Sequence, residues 1–143
     1  MTVKAILSVK GTEVLTIEPN TNLAAAAKLL AERKIGALVV TGADRRVVGI
    51  VSERDIVQEL AAHGAASLDL PLTDVMTRKV STCTMSDTIS SLMERMTEGK
   101  FRHMPVLEQG RLVGVISIGD VVKCQIAEAT HEAESLRTYI TAG

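Results

Sequence analysis

Val47-Val48-Gly49-Ile50-Val51-Ser52-Glu53-Arg54-Asp55 returns as Leu112-Val113-Gly114-Val115-Ile116-Ser117-Ile118-Gly119-Asp120, 65 positions later. Upstream the register changes by one. Val14-Leu15-Thr16 aligns with Val80-Ser81-Thr82, and Glu32-Arg33-Lys34 with Glu98-Gly99-Lys100. The second copy therefore lacks one residue in its counterpart of the loop between Thr41 and Arg46. Two copies of one unit pack on each other about a pseudo-twofold axis, so a cleft in one copy has a geometric twin in the other.

The chain has 143 residues. Half of that length buries only a thin core alone, which favours two copies sharing one body. Hydrophobic residues make up 46% and aromatics 1%, so the core is aliphatic. A formal charge of -1 argues against general nucleic-acid binding, which needs a basic surface, and the scarcity of aromatics removes the stacking platforms for single strands. The apolar run Ala37-Leu38-Val39-Val40 is too short to span a bilayer. The start, Met1-Thr2-Val3-Lys4, leads into a mixed segment without a signal-peptide core, and a cytoplasmic location is expected. Cys83 aligns with Ile17 and is expected at a buried strand position; Cys124 aligns with Glu59 and is expected near the surface. Their spacing suits two free thiols rather than a disulfide or zinc site.

Each copy reads strand, helix, strand, strand, helix. In the first, Val14 to Ile17 is a strand and Asn20 to Asn22 supplies candidate caps. Leu23, Ala26, Ala27 and Leu30 recur at helical spacing, and Gly36 ends that region. Ala37 to Val40 is a strand buried on both faces. Gly42-Ala43-Asp44 turns into the strand Val47 to Val51, and Ser52 opens a helix. In the second, Ser86-Asp87 caps a helix bearing Ile89, Leu92, Met93 and Met96. Met104 to Leu107 and Leu112 to Ile116 are strands joined at Gln109-Gly110, and Ser117 begins the next helix. The domain organisation is residues 1–65 for the first repeat with its N-terminal segment, 66–127 for the linker and second repeat, and 128–143 for a helical tail. Leu136, Tyr139 and Ile140 give that tail an apolar spacing suited to the body or to a second subunit. The fold class is α/β (α+β).

Gly-apolar-apolar-Ser-x-x-Asp sits where a strand runs into a helix. The serine falls at the N-cap and the aspartate three residues on, which forms a capping box. The same geometry offers helix-terminal amides to a phosphate and a carboxylate to ribose hydroxyls. Both readings stand. Arg102-His103 lies at the mouth of a strand that reads as buried, where the first copy has Gly36 and Ala37. A cation pair there needs an anionic partner or water, and solvated loop charges are the competing account. Arg54 sits at a helix start, where the dipole disfavours a cation. A phosphate reached across the pseudo-twofold and plain solvent exposure both account for it.

These residues resemble a tandem cystathionine-β-synthase (CBS) domain pair standing alone, from about Lys10 to Ile126. The resemblance implies two β-α-β-β-α repeats with sheets facing a central cleft, and a regulatory module that binds adenine nucleotides (AMP, ADP or ATP) or NAD(H). It also implies a homodimer through CBS pair faces. Carried over, Asp120 would hold the ribose hydroxyls, and Ser117 with the amides of Ile118 and Gly119 would face the ribose–phosphate. Arg102 and His103 would meet phosphate, with Arg54 as a further contact, while Thr82 and the backbone near Met104 and Pro105 line adenine. The equivalent first site uses Thr16, Ser52, Asp55 and the backbone from Lys34 through Ile35, Gly36 and Ala37. Lacking the cation pair, it is expected to be unequal to the second: empty, weaker, or taking the other part of a larger ligand such as NAD.

Two other functions compete. A ligand-independent adaptor would bind a regulated partner protein through the tail. A hydrolase would use Ser117, His103 and Asp120; helix capping explains the Ser–Asp pair, and His103 has no counterpart in the first copy, so no enzyme, catalytic residue, obligatory cofactor or metal is expected.

Overall fold

The computed structural model describes residues 1–142; Gly143 lies outside them. The first repeat comprises β1 (Thr16–Ile17), α2 (Leu23–Arg33), β2 (Ala37–Thr41), β3 (Val47–Ser52) and α3 (Glu53–His63), preceded by α1 (Val3–Lys10). The second comprises α4 (Ile89–Gly99), β4 (His103–Glu108), β5 (Arg111–Ser117) and α5 (Ile118–Ala142). The mixed α and β class expected from the duplicated pattern is the class observed.

Local chemistry accounts for most boundaries. Asn22 caps α2, its side chain accepting from the Ala25 amide at 2.9 Å, and Lys34 ends it in the left-handed region at φ 55°. Lys100 ends α4 in the same way at φ 56°. The cap of α4 is Thr88, which accepts from the Ser91 amide; the expected Ser86-Asp87 cap is displaced because Asp87 accepts instead from the Thr84 amide. β1 is two residues rather than four, and pairs parallel with β2 through Thr16–Val39 and Ile17–Val40. Its counterpart shrinks to a single parallel bridge, Cys83–Val106.

The two hairpins share one register. Leu38 opposes Val51 in the first, and Met104 opposes Ile116 in the second. The dropped residue lies in their turns. β4 and β5 join through Gln109-Gly110, both at positive φ (53° and 78°), as a two-residue hairpin of right-handed twist requires. β2 and β3 join through a longer 3-10 turn, Ala43–Arg45.

Core packing exchanges the segments that lead into each repeat. α1 precedes the first repeat in sequence but packs on the second: Val3 and Leu7 are buried with Ile89, Leu92, Met96, Ile116 and Val121. The Val3 and Lys4 amides donate to the Asp87 and Met85 carbonyls, both at 3.0 Å. Conversely, the segment before the second repeat packs on the first. Leu72 and Met76 join Leu23, Leu38, Val51 and Ile56, and Thr77 exchanges two backbone hydrogen bonds with Ile50, both at 2.9 Å. The linker is thus a packed strap of 3-10 turns, with Leu72 fully buried.

The motif glycines are where the straps cross the sheets. A Cβ on Gly49 would lie 2.5 Å from Met76 Sδ and 3.1 Å from the Thr77 carbonyl oxygen, and one on Gly114 would lie 2.8 Å from Leu7 Cδ1. Close approach of a strap, rather than backbone conformation, is what requires glycine there. The same exchange corrects the expectation for Cys124. It is buried, because α1 brings Met1 over it, with Cys124 Sγ 2.9 Å from Met1 Sδ. Glu59, its counterpart, is half-buried and pairs with His63 at 2.9 Å. Cys83 is buried as expected, and both thiols are free.

Leu7→Ala is expected to destabilise the fold by about 2–5 kcal/mol by cavity creation, measured by urea denaturation. Val9→Ala, at a side chain that is 90% exposed, should leave the midpoint unchanged. Gly49→Ala should cost about 1–3 kcal/mol by overpacking the strap; a neutral result would show that Met76 moves aside freely.

Candidate functional site

Both serine–aspartate pairs form capping boxes. The Ser52 amide donates to Asp55 Oδ2 at 2.9 Å, and the Asp55 amide to Ser52 Oγ at 3.2 Å. In the second copy the Ser117 amide donates to Asp120 Oδ2 at 2.8 Å, and the Asp120 amide to Ser117 Oγ at 3.2 Å. Each aspartate is thus fixed at its helix N-terminus through one oxygen. The strap of the opposite repeat then reaches the same carboxylate. Thr77 Oγ donates to Asp55 Oδ1 at a long 3.4 Å. Lys10 Nζ donates to Asp120 Oδ2 at 2.6 Å and to the Val115 carbonyl at 2.8 Å. One carboxylate meets a neutral hydroxyl, and the other meets a cation.

Burial pushes the Asp120 carboxyl up, but the hydrogen bonds from Lys10 and the Ser117 amide, with the charge of Lys10, outweigh it and hold the group below the usual carboxylate range. Burial pushes the Cys83 thiol up to about 12, with the Asp87 charge adding to it, so it is protonated and unreactive at neutral pH.

Two clefts flank the junction of the repeats. One, of about 600 Å³, combines the start of α3 with the approach to β4: Ser52, Arg54 and Asp55 face Lys79, Lys100 and Arg102. The other, of about 710 Å³, combines the end of β5 with the approach to β2: Ser117 and Lys10 face Arg33, Lys34 and Ile35. Both have the size of small-molecule sites. Gly36, Ala37 and His103 line both clefts and form the wall between them. A Cβ on Gly36 would lie 3.2 Å from His103 Cε1, so glycine there gives the imidazole its place.

The motif of each repeat therefore faces the strand mouth of the other. Of the residues read as the second site, Arg54, Arg102 and His103 meet in the Asp55 cleft, while Ser117 lines the Lys10 cleft with His103. Of those read as the first, Ser52 and Asp55 line the Asp55 cleft, Lys34 and Ile35 line the Lys10 cleft, and Gly36 and Ala37 line both. Thr16, Thr82, Met104, Pro105, Ile118, Gly119 and Asp120 do not line either. Met104 is fully buried in the core. The Ile118 amide is taken, donating to the Arg102 carbonyl at 2.7 Å, as the Glu53 amide does to Gly36 at 3.0 Å. The expectation that the Ile118 amide faces a ligand is thereby corrected: the strand mouth of its own repeat takes it, continuing the β4–β5 ladder.

Sequence reading missed Lys10, Lys79 and Lys100. The repeat alignment held a signal for one, since Lys79 stands where the first copy has Glu13, and those two face opposite clefts. The Asp55 cleft carries Arg54, Lys79, Lys100 and Arg102 against Glu53 and Asp55. An excess of cations thus gathers at one cleft of a chain whose net charge is -1. Among the described residues no helix is long and apolar enough to cross a membrane.

A family model for the CBS domain matches residues 3–62 and 72–127. A CBS-domain-containing protein from Agrobacterium tumefaciens is 50% identical, with a TM-score of 0.84 over 87% of this chain and 99% of that one. The mitochondrial CBS-domain-containing protein CBSX3 of Arabidopsis thaliana is 34% identical over 82% of this chain, which spans 59% of that relative's length. The CBS domain pair of protein MJ0100, solved with 5′-methylthioadenosine and S-adenosyl-L-methionine, is 25% identical, with a TM-score of 0.77 over 87% of this chain and 98% of that one.

Burial lowers the His103 pKa, and Lys10 and Arg102 lower it further, against the opposing charges of Asp120 and Glu53. The folded state thus holds the imidazole neutral where the unfolded chain protonates it. The stability tied to His103 is complete above the unfolded value near 6.5 and is lost as pH falls through the lower folded value. An NMR titration should give His103 a midpoint below that of a denatured reference. Lys10→Met should raise the midpoint; no change would remove Lys10 from the field at His103.

Proposed function

The chain belongs to the CBS-domain family as two tandem repeats, and we propose that it is a regulatory module whose ligand is an anionic adenine nucleotide, AMP or NAD(H), read out by a partner protein. The observation that carries this reading is the Asp55 cleft. There, cations from both repeats surround a carboxylate anchored at a helix N-terminus. Asp55 Oδ1 would take the ribose hydroxyls, displacing only the long contact from Thr77. Arg102 and Arg54, which line the cleft from different repeats, would take the phosphate, where charge-assisted hydrogen bonds are strong.

The Lys10 cleft is assigned a different preference. Asp120 does not line that cleft and is paired with Lys10 at 2.6 Å, while Lys10 and Lys34 favour anionic groups there. A dinucleotide reaching past the His103 wall would use both clefts. The adenosine ligands of protein MJ0100 support adenosine recognition in general, and the excess of cations here favours an anionic ligand over cationic S-adenosylmethionine.

Regulation follows from where the ligand sits. A nucleotide held by Asp55 of one repeat and Arg102 of the other binds best at one relative position of the repeats, and shifts their equilibrium toward it. This is binding chemistry rather than catalysis. Ser117 and Asp120 are committed to capping, and His103 makes no side-chain hydrogen bond to either. The regulated protein is proposed as a class only, a partner that reads the arrangement of the repeats.

Calorimetry with AMP, adenosine, NAD and S-adenosylmethionine, on protein stripped of nucleotide, tests the reading. Arg102→Ala should weaken AMP by about 10- to 100-fold, the equivalent of one lost charge-assisted hydrogen bond, and adenosine far less. Asp55→Asn should weaken both, while Asp120→Asn should spare binding at the Asp55 cleft. Equal losses of AMP and adenosine in Arg102→Ala would make the residue a wall rather than a phosphate contact. No binding of any of them would move the assignment to a ligand-independent adaptor.

A further inference from the structure

The two capping boxes share one geometry, yet only one of their carboxylates reaches a cleft. Asp55 lines the cleft beside it, whereas Asp120 lines neither. Capping does not account for the difference, since each aspartate accepts from the amide of its own serine, at 2.9 Å for Asp55 and 2.8 Å for Asp120. Nor is Asp120 sunk in the core, because 21% of its side chain is exposed. The difference is Lys10. Its ammonium lies 2.6 Å from Asp120 Oδ2 and 2.8 Å from the Val115 carbonyl oxygen. Lys10, rather than Asp120, is what the cleft presents.

The fold holds Lys10 in this place. It is the last residue of α1, a helix anchored by Val3 and Leu7 in the core of the second repeat. Gly11, at φ 98°, closes the helix by donating to the Leu7 carbonyl at 2.8 Å. A side chain that starts from a fixed helix end has less freedom to lose on pairing than one on a loose segment. At the equivalent place beside Asp55, Thr77 brings a neutral hydroxyl at 3.4 Å. The two substituents differ in consequence. An ammonium on Asp120 takes up the negative charge that makes a carboxylate a strong acceptor for sugar hydroxyls, and a distant hydroxyl on Asp55 leaves that charge free. The rest of the Lys10 cleft is equipped for a nucleotide: Arg33 and Lys34 supply cations, and Val14, Leu15 and Ile35 an apolar lining.

We infer that Lys10 is the specificity-determining residue of its cleft: it occupies the ribose position on Asp120, so that the cleft holds anionic groups without a ribose on that carboxylate. The inference rests on the reading of Asp55 as a ribose acceptor, from which the latent role of its twin follows. The repeats then differ in what they bind through one residue of α1, and not through their motifs, which are alike. Taking the ammonium away should open a second nucleotide site built from residues already in place.

Calorimetry with AMP on the full chain, stripped of nucleotide and carrying Asp55→Asn to silence the other cleft, decides it. Adding Lys10→Met should tighten AMP by at least about 10-fold over Asp55→Asn alone, the worth of a regained hydrogen bond to a charged group. The 2′,3′-dideoxy analogue of AMP should show no such gain, because the sugar hydroxyls are what Asp120 takes. Lys10→Arg, which keeps the charge, should leave the cleft closed, and a further Asp120→Asn should erase the gain of Lys10→Met. The Lys10 side chain is 38% exposed and methionine keeps its length, so the melting temperature should confirm a folded variant. No gain with Lys10→Met, a gain shared by the dideoxy analogue, or one that survives Asp120→Asn would overturn the inference. Undiminished AMP binding in Asp55→Asn alone would count against the Asp55 reading instead. The inference is then read from stoichiometry: a rise from one AMP to two with Lys10→Met supports it, and a value left at one overturns it.

Discussion

The exchange of leading segments is the constraint on which the rest depends. α1 crosses Gly114 to fill the core of the second repeat, and the strap through Met76 crosses Gly49 to fill that of the first. Neither half of the chain can bury its sheet with its own contiguous sequence. Having no side chain at these positions loses packing surface in a strand, yet it lets Leu7 and Met76 approach the sheet closely. The two repeats are thereby locked into one body, and the clefts at their junction acquire fixed walls.

The same straps make twin clefts unequal. Thr77 and Lys10 arrive at equivalent places and touch equivalent aspartates, but one donates a hydroxyl and the other an ammonium. A capping box is a symmetric device, set by the local order of serine and aspartate. What each aspartate has left to offer a ligand is set by a residue from elsewhere in the chain. His103 adds a second link, since it forms part of both clefts and stands in the field of Lys10, Arg102, Asp120 and Glu53. A charged ligand entering either cleft alters the environment of a group that also borders the other.

Net charge conceals this arrangement. A balance of -1 over the chain describes its long-range field, but an anion in a cleft responds to charges within several ångströms. Arg54, Lys79, Lys100 and Arg102 come from separate stretches of both repeats, and folding gathers them around one cleft. That concentration is the ground on which an anionic ligand is proposed for this pair of repeats.

The duplication, the hairpins and the serine–aspartate capping boxes were legible in the sequence, because each follows from short-range spacing: alternation in strands, three- and four-residue recurrence in helices, a cap three residues from its partner. So was the importance of Arg102 and His103, two polar residues at the mouth of an apolar strand. The cap of α4 was misjudged by one residue, since Asp87 had a local competitor in the Thr84 amide. Grouping the site was beyond the sequence. Aligned positions suggested that Asp120 and Arg102 act together, whereas the repeats pack motif against opposite strand mouth and bring Asp55 to Arg102 instead. The burial of Cys124 and the hold of Lys10 on Asp120 have the same origin. Sequence spacing determines which residues share a helix or a strand, but only the docking of the repeats decides which residues face each other across a cleft, because that depends on contacts between segments more than a hundred positions apart, such as Lys10 and Asp120.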